Sequence, residues 1–163
     1  MRVAATALCL LLTLTAHAAA PVRGVIFAVI DGDTVLFKPD HYAAESRAFL
    51  KIRLADIDAP ERDQPHGSAA TRALSALVLH RHADVEPVAT DAYGRKIAHV
   101  RVGAVWVNLD LVQRGHAWTS TRYRRDPILV NAQREARSAA RGLWSDPAPT
   151  PPWVWRRELS AQR

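Results

Sequence analysis

The patterned part of the chain begins with two short runs of β-branched and aromatic residues. These runs, Val22 to Ile30 and Thr34 to Lys38, are separated by the turn Asp31-Gly32-Asp33, an arrangement typical of a β-hairpin. Arg47 to Ile57, with Phe49, Ile52 and Leu54 as its apolar members, predicts a third strand. The polar stretch 39–46 between them is the expected connection. The sequence therefore predicts a three-stranded antiparallel meander.

Further along the chain, the spacing of the apolar residues changes to that of a helix. Over residues 66–80 the apolar side chains recur at the spacing of one helix face, which predicts an amphipathic helix. Two further strands are predicted near Ala83–Ala89 and Lys96–Val102, with Tyr93-Gly94 in the turn between them. The helix is thus expected to lie between the third and fourth strands.

Capping residues predict two more helices. Asn108 is the expected N-cap of a short helix that ends at Gly115, and Asp126-Pro127 opens a last helix that runs to Gly142. The whole is an α+β, mainly β, pattern of five strands with about three helices, which is the order of an OB-fold barrel. We expect this domain over residues 22–146. A Pro/Trp-rich C-terminal extension over 147–163 should follow, with its tryptophans packed on the barrel.

The first twenty residues have the pattern of a secretory signal peptide. Met1-Arg2 supplies a positive start, Ala7 to Leu14 an apolar run, and Ala16-His17-Ala18 a small-residue cleavage site. Cleavage is expected near residues 18–20. Because the apolar run is shorter than the roughly 20 residues that a membrane span needs, we expect no span, and export to the periplasm or the medium.

The amino-acid composition limits the kinds of catalytic and metal-binding site that the chain can form. Lys and Arg number 22 against 16 Asp and Glu, so the net charge is +6, and the one cysteine, Cys9, lies in the signal peptide. The rest of the chain therefore has no disulfide framework, no cysteine nucleophile and no thiolate zinc site. A basic balance favours a polyanionic partner.

Three short segments together hold the groups that a phosphodiesterase needs. They are Asp31-Gly32-Asp33-Thr34, Arg53 to Glu61, and Asp91-Ala92-Tyr93-Gly94-Arg95. Hydrolysis of a phosphodiester requires positive charge on the phosphate oxygens, a deprotonated water and often a metal ion. The segments offer carboxylates for a hard cation, a carboxylate for the water, and two arginines for the phosphate.

Each residue has a candidate role. Asp33 and Asp58 are oxygen ligands of the kind that Ca²⁺ prefers, and Glu61, fixed behind Pro60, is the candidate general base. Arg53 and Arg95 can bind phosphate oxygens through their planar forks. Taken singly, each has an ordinary alternative as a turn, loop or surface charge; their joint occurrence carries the hypothesis.

The three segments resemble the staphylococcal (micrococcal) nuclease family. The resemblance continues through Arg141-Gly142-Leu143-Trp144-Ser145, and the end, residues 151–157, is similar to the tail of exported Gram-negative members. It covers about residues 22–157. It implies an OB-fold enzyme that cleaves DNA and RNA, preferably single-stranded, at the 5′ P–O bond and leaves 3′-phosphates.

The resemblance also implies residue roles. Ca²⁺ would be held by Asp33, Asp58 and the carbonyl of Ala59. The catalytic residues would be Arg53, Glu61 and Arg95. Tyr93 and Tyr123 would contact the nucleotide.

Two departures and two rival functions accompany this interpretation. Ala59 replaces a threonine, which leaves a carbonyl ligand intact, and Thr121 replaces a second tyrosine, which should weaken stacking. A non-catalytic nucleic-acid-binding OB domain is the main alternative, although such a domain usually lacks one or more of the five functional residues. An exported basic protein that binds other polyanions would not need the carboxylates. No obligate protein partner is implied, and another divalent ion could replace Ca²⁺.

Overall fold

The computed structural model of the chain describes residues 20–120 and 126–162. Nearly all of the predicted signal peptide, together with Thr121 and Tyr123, lies outside the described residues. Within these two ranges, no helix combines the length and apolarity needed to cross a membrane.

Five strands form a closed barrel, as predicted. The first strand pairs antiparallel with the second and with the fourth barrel strand, and the parallel pairing of the third with the fifth closes the barrel. The strands of the described residues are β1 (Val22–Val29), β2 (Thr34–Pro39), β3 (Leu50–Leu54), β4 (Ile57–Asp58), β5 (His82–Thr90), β6 (Lys96–Val102), β7 (Val105–Trp106) and β8 (Trp118–Thr119). The barrel strands are β1, β2, β3, β5 and β6, so the predicted α+β OB-fold is confirmed.

The predicted third strand is shorter than expected because the chain turns sharply after Leu54. Asp56 has a positive φ of 61°, a conformation that cannot continue a strand. After this turn, Ile57 and Asp58 form β4, which leaves the barrel and pairs with β8 in a separate two-stranded sheet. This turn directs Asp58 away from the β3 axis and towards the end of the barrel that carries the acidic β1–β2 turn.

The helices include one that the sequence pattern did not predict. They are α1 (Gly67–Val78), α2 (Val107–Gln113), α3 (Pro127–Ser138) and α4 (Pro152–Ala161), with a 3₁₀ helix over Gly142–Ser145. Helix α4 lies in the predicted Pro/Trp-rich extension. Pro152 occupies the first helical turn, where a missing N–H does no harm. The described residues thus form four α-helices where about three were expected.

The caps were predicted with mixed success. Asp126 caps α3 by accepting a hydrogen bond from Ile128 at 2.8 Å, as expected. Helix α3 ends at Ser138 rather than at Gly142, since Ala140 already has a positive φ of 49°. Gly115 follows the end of α2 with a φ of 71°, as predicted.

The predicted capping role of Asn108 was wrong. Helix α2 begins at Val107, with Trp106 at the N-cap position, so Asn108 lies within the helix and is fully buried. Its Oδ1 accepts from the Val100 N–H at 3.0 Å, and its Nδ2 donates to the carbonyl oxygens of Ala55 and Ala98 at 2.9 and 3.3 Å. Its side chain therefore joins α2 to β6 and to the turn after β3.

The core fills the barrel and extends under the helices. Its largest fully buried side chains include Ile26, Phe37, Ile52, Leu74 and Leu111, which come from β1, β2, β3, α1 and α2 in that order. A second cluster of Trp118, Ala136, Leu143 and Trp144 lies under α3. Trp153 of α4 packs edge-on against Trp118, with 6.4 Å between the ring centroids.

We expect Asn108→Ala to lower the free energy of unfolding by about 2–4 kcal/mol, because the buried Val100 N–H and the Ala55 carbonyl lose the partner that Asn108 supplies. Denaturant unfolding of the purified protein measures the change. Asn131→Ala, at an exposed position of α3, is the matched control and should shift stability by less than about 0.5 kcal/mol. Equal effects of the two substitutions would contradict the structural role of Asn108.

Candidate active site

The β1–β2 turn positions the first acidic residue of the site. Asp31 Oδ1 accepts a hydrogen bond from the Asp33 N–H at 3.0 Å. At Gly32 a Cβ atom would lie 2.7 Å from the Ala59 Cβ and 2.8 Å from the Ala70 Cβ, so only glycine allows the turn to approach so closely. The approach brings Asp33 beside the segment after β4, where the Ala59 N–H donates to Asp33 Oδ2 at 3.0 Å.

The guanidinium of Arg53 connects the two predicted metal carboxylates. Its Nη1 lies 2.8 Å from Asp33 Oδ1 and its Nη2 lies 2.8 Å from Asp58 Oδ1. Both aspartates are buried, with 3 % and 6 % of their surface exposed. The structure thus brings together two carboxylates that are 25 positions apart in sequence, on either side of one cation.

The positive charge of Arg53 only partly offsets the burial of Asp33. Burial raises the pKa of Asp33 to about 7, although the positive charge of Arg53 acts in the opposite direction. Burial alone would lower the pKa of Arg53, but the carboxylates of Asp33 and Asp58 raise it above its ordinary value. The environment of Asp33 therefore favours additional positive charge.

Glu61 is held by the loop between β4 and α1. Its N–H donates to Gln64 Oε1 at 3.1 Å, and its carbonyl oxygen accepts from the Gln64 N–H at 3.0 Å. Gln64 is buried, and its Nε2 donates to the carbonyl oxygen of Thr150 in the C-terminal extension. The carboxylate of Glu61 remains 34 % exposed, so it can reach solvent while its backbone is fixed.

Arg95 is positioned by the β5–β6 hairpin. Asp91 Oδ1 accepts from the N–H groups of Tyr93 and Arg95 at 2.9 Å, and Asp91 Oδ2 accepts from Arg95 Nε at 2.7 Å. Burial opposes the effect of these hydrogen bonds, which nevertheless hold the pKa of Asp91 below its usual value. Among the described residues, the terminal nitrogens of Arg95 form no hydrogen bond and remain available to an anion.

Arg156 of α4 is the site residue that the sequence analysis missed. Its Nη1 lies 2.6 Å from Glu61 Oε1, and its Nη2 lies 2.7 Å from Asp58 Oδ2. Its hydrogen bonds to Asp58, and then those to Glu61, raise its pKa above the ordinary value of arginine. Helical character could have been inferred from Pro152 and the residues after it, but no local signal indicates where α4 docks.

Most of the predicted residues line one open cleft of about 350 Å³. Its lining comprises Asp31, Asp33, Arg53, Ala59, Pro60, Glu61, Tyr93, Arg95 and Arg156. Asp58 lines an adjoining cavity that shares three arginines with the cleft. Tyr93 lies at the rim with 86 % of its surface exposed, and the Arg95 guanidinium carbon is 5.7 Å from its ring centroid. Tyr123 lies outside the described residues.

The possible metal donors of the site are all oxygens. Across residues 20–120 and 126–162, no cluster of three or more His, Cys, Asp or Glu side chains has the arrangement of a metal site. Asp33 and Asp58 provide two carboxylates beside the backbone of Ala59. This donor set fits a hard cation that completes its coordination with backbone oxygens and water.

Comparison with known proteins agrees with this geometry. The sequence model of the staphylococcal nuclease homologue family matches residues 51–146. The chain is 38 % identical over 168 residues to Protein ParB of Escherichia coli, covering 93 % of this chain and 89 % of that protein. It is 39 % identical over 138 residues to an uncharacterized endonuclease of Escherichia coli O157:H7, covering 84 % of this chain and 86 % of that protein.

A third relative is the micrococcal nuclease of Shigella flexneri, which is 34 % identical over 164 residues, covering 94 % of this chain and 91 % of that protein. The matches extend across most of the chain, and two of the three relatives carry the name of a nuclease. The resemblance seen in the three sequence segments is thereby confirmed, and the chain belongs to the staphylococcal nuclease family.

Proposed function

We propose that this nuclease is an exported, Ca²⁺-dependent enzyme that hydrolyses DNA and RNA at the 5′ P–O bond and leaves 3′-phosphate ends. The main supporting observation is that the Arg53 guanidinium contacts both Asp33 and Asp58. This contact lies beside the cleft that also contains Glu61 and Arg95. Export rests on the signal-peptide pattern of the first twenty residues.

The donor chemistry supports Ca²⁺. Asp33, Asp58 and the carbonyl of Ala59 would hold the ion, and the raised pKa of Asp33 indicates a buried carboxylate with too little positive charge around it. A bound Ca²⁺ would supply positive charge to the phosphate as negative charge develops on its oxygens.

Glu61, Arg95 and Arg53 can each take a separate role in the hydrolysis. Glu61 is exposed enough to accept a proton from water, and its fixed backbone limits where that water can lie. The free terminal nitrogens of Arg95 can bind two phosphate oxygens at once. Arg53 uses two of its five N–H donors on Asp33 and Asp58, so other donors remain for the phosphate.

The shape of the cleft supports a flexible, unpaired strand as substrate. The cleft is open to solvent, and the exposed Tyr93 ring beside Arg95 offers a surface on which a base can stack. A phosphate bound at Arg95 would place its own nucleotide near that ring. The preference for single strands is therefore proposed from Tyr93 and Arg95, with Tyr123 as a further predicted contact.

Glu61→Gln and Arg95→Ala should each lower kcat on a single-stranded oligonucleotide by about 100-fold or more in Ca²⁺, because one loses the proton acceptor and the other a transition-state cation. Glu135→Gln and Arg23→Ala, at exposed positions on α3 and β1, are the matched controls and should retain activity. Chelator should abolish cleavage by the unaltered protein, and end analysis should show 3′-phosphates.

Near-normal turnover in both site variants would refute these roles. If the unaltered protein binds the oligonucleotide but does not cleave it in Ca²⁺ or another divalent ion, the non-catalytic nucleic-acid-binding function is correct instead.

The raised pKa of Asp33 predicts how stability depends on pH when chelator keeps cations away. Between about pH 4 and pH 7 the folded state binds more protons at Asp33 than the unfolded state does, so stability should fall as pH rises. This contribution is fully present below about pH 4 and amounts to at most on the order of 4 kcal/mol.

Denaturant unfolding of the unaltered protein and of Asp33→Asn at several pH values measures this contribution. The variant should lack this component of the pH dependence, so the difference in stability between the two proteins should change across pH 4–7. Asp63→Asn, at an exposed position, should track the unaltered protein. A pH-independent difference between Asp33→Asn and the unaltered protein would contradict the prediction.

A further inference from the structure

Two groups of polar and ring contacts attach helix α4 to the other described residues. At its start, Gln64 Nε2 donates to the carbonyl of Thr150, and Trp153 packs edge-on against Trp118. Pro152 is the one fully buried residue of α4, and its other apolar side chains are half-buried or exposed. The second attachment is Arg156, one turn further along, whose guanidinium contacts Asp58 and Glu61.

Arg156 uses the same oxygens that the proposed cation needs. Asp58 Oδ2 accepts from Arg156 Nη2 at 2.7 Å, and Asp58 Oδ1 accepts from Arg53 Nη2 at 2.8 Å and from Arg156 Nη1 at 3.1 Å. Both oxygens of this carboxylate therefore face guanidinium groups. Since a Ca²⁺ ion lies about 2.3–2.6 Å from its oxygen ligands, an ion on Asp58 would be close to Arg156 and strongly repelled by it.

The two arginines on Asp58 are not equivalent. Arg53 extends from the barrel strand β3 and also bonds Asp33, so it is fixed by the core of the fold. Arg156 is 38 % exposed at its side chain and extends from a helix in which Pro152 alone is fully buried. Of the two, Arg156 is the one that can leave.

We propose that Arg156 competes with the cation for Asp58, so that cation binding releases Arg156 from this carboxylate and loosens α4 from the barrel. The inference rests on the proposed cation site at Asp33 and Asp58. It makes Arg156 a residue that sets the affinity of the nuclease for its cation, and it makes the C-terminal helix part of the active site.

Calorimetric titration with Ca²⁺ tests the competition directly. Arg156→Gln should bind Ca²⁺ about tenfold more tightly than the unaltered protein, a size typical of coupling between two binding events. Arg157→Gln removes the same charge from an exposed neighbouring position of α4 and should change the affinity much less. Equal or weaker binding by Arg156→Gln, or an equal gain in Arg157→Gln, would overturn the proposal.

Hydrogen exchange of α4 tests the same proposal in the unaltered protein and needs no variant. Addition of Ca²⁺ should increase exchange in residues 152–161, whereas in Arg156→Gln the helix should already exchange faster and change little. Exchange in α4 that stays constant or slows when Ca²⁺ binds the unaltered protein would overturn the proposal.

The two hypotheses fail in different ways. If neither the unaltered protein nor Arg156→Gln binds Ca²⁺, the proposed cation site is wrong and the inference falls with it. If both bind Ca²⁺ with the same affinity, the cation site stands and the competition is refuted.

Discussion

The buried carboxylate of Asp33 is the constraint on which the site depends. A carboxylate with 3 % of its surface exposed must be surrounded by donors, and here the donors come from three separate parts of the chain. Thr34 Oγ1 donates from β2, Arg53 Nη1 from β3 and the Ala59 N–H from the segment after β4. Because these donors are fixed by the strands and the turn that carry them, the same contacts that satisfy Asp33 also bring the predicted phosphate-binding and metal-binding groups together.

Barrel closure determines how the two predicted phosphate-binding arginines are placed. The parallel pairing of β3 with β6 aligns Arg53 with Ile97, so Arg95, two residues before Ile97, lies at the end of the neighbouring strand. If β3 and β6 did not pair, the sheet would stay open between them, and the β5–β6 hairpin would not lie beside β3. The register of one strand pair therefore links the Asp91-to-Arg95 turn to the acidic cluster. This arrangement explains why a closed barrel, rather than a meander with the same motifs, is needed for the cleft.

The sequence predicted those parts of the site that local patterns specify. The turn at Asp31 to Asp33, the strand carrying Arg53 and the hairpin at Arg95 all have short-range signals, and the structure places Asp33, Arg53, Ala59, Glu61, Tyr93 and Arg95 around one cleft. Asn108 was misassigned because an asparagine before an apolar stretch looks the same whether it caps a helix or is buried beneath one. Arg156 was missed for a different reason. Its partners lie 95 and 98 residues away, and no periodicity or spacing encodes where a terminal helix docks.

The loop between β4 and α1 connects the C-terminal extension to the proposed chemistry. Gln64 holds the backbone of Glu61 through its Oε1 and the carbonyl of Thr150 through its Nε2, while Arg156 contacts the Glu61 carboxylate itself. A displacement of the extension would therefore act on Glu61 twice, once through its backbone and once through its side chain. Since general-base catalysis requires the carboxylate within hydrogen-bond reach of its water, the extension cannot be treated as a tail that is independent of the nuclease domain. Gln64 and Arg156 thus connect the extension to the backbone and to the side chain of the proposed general base.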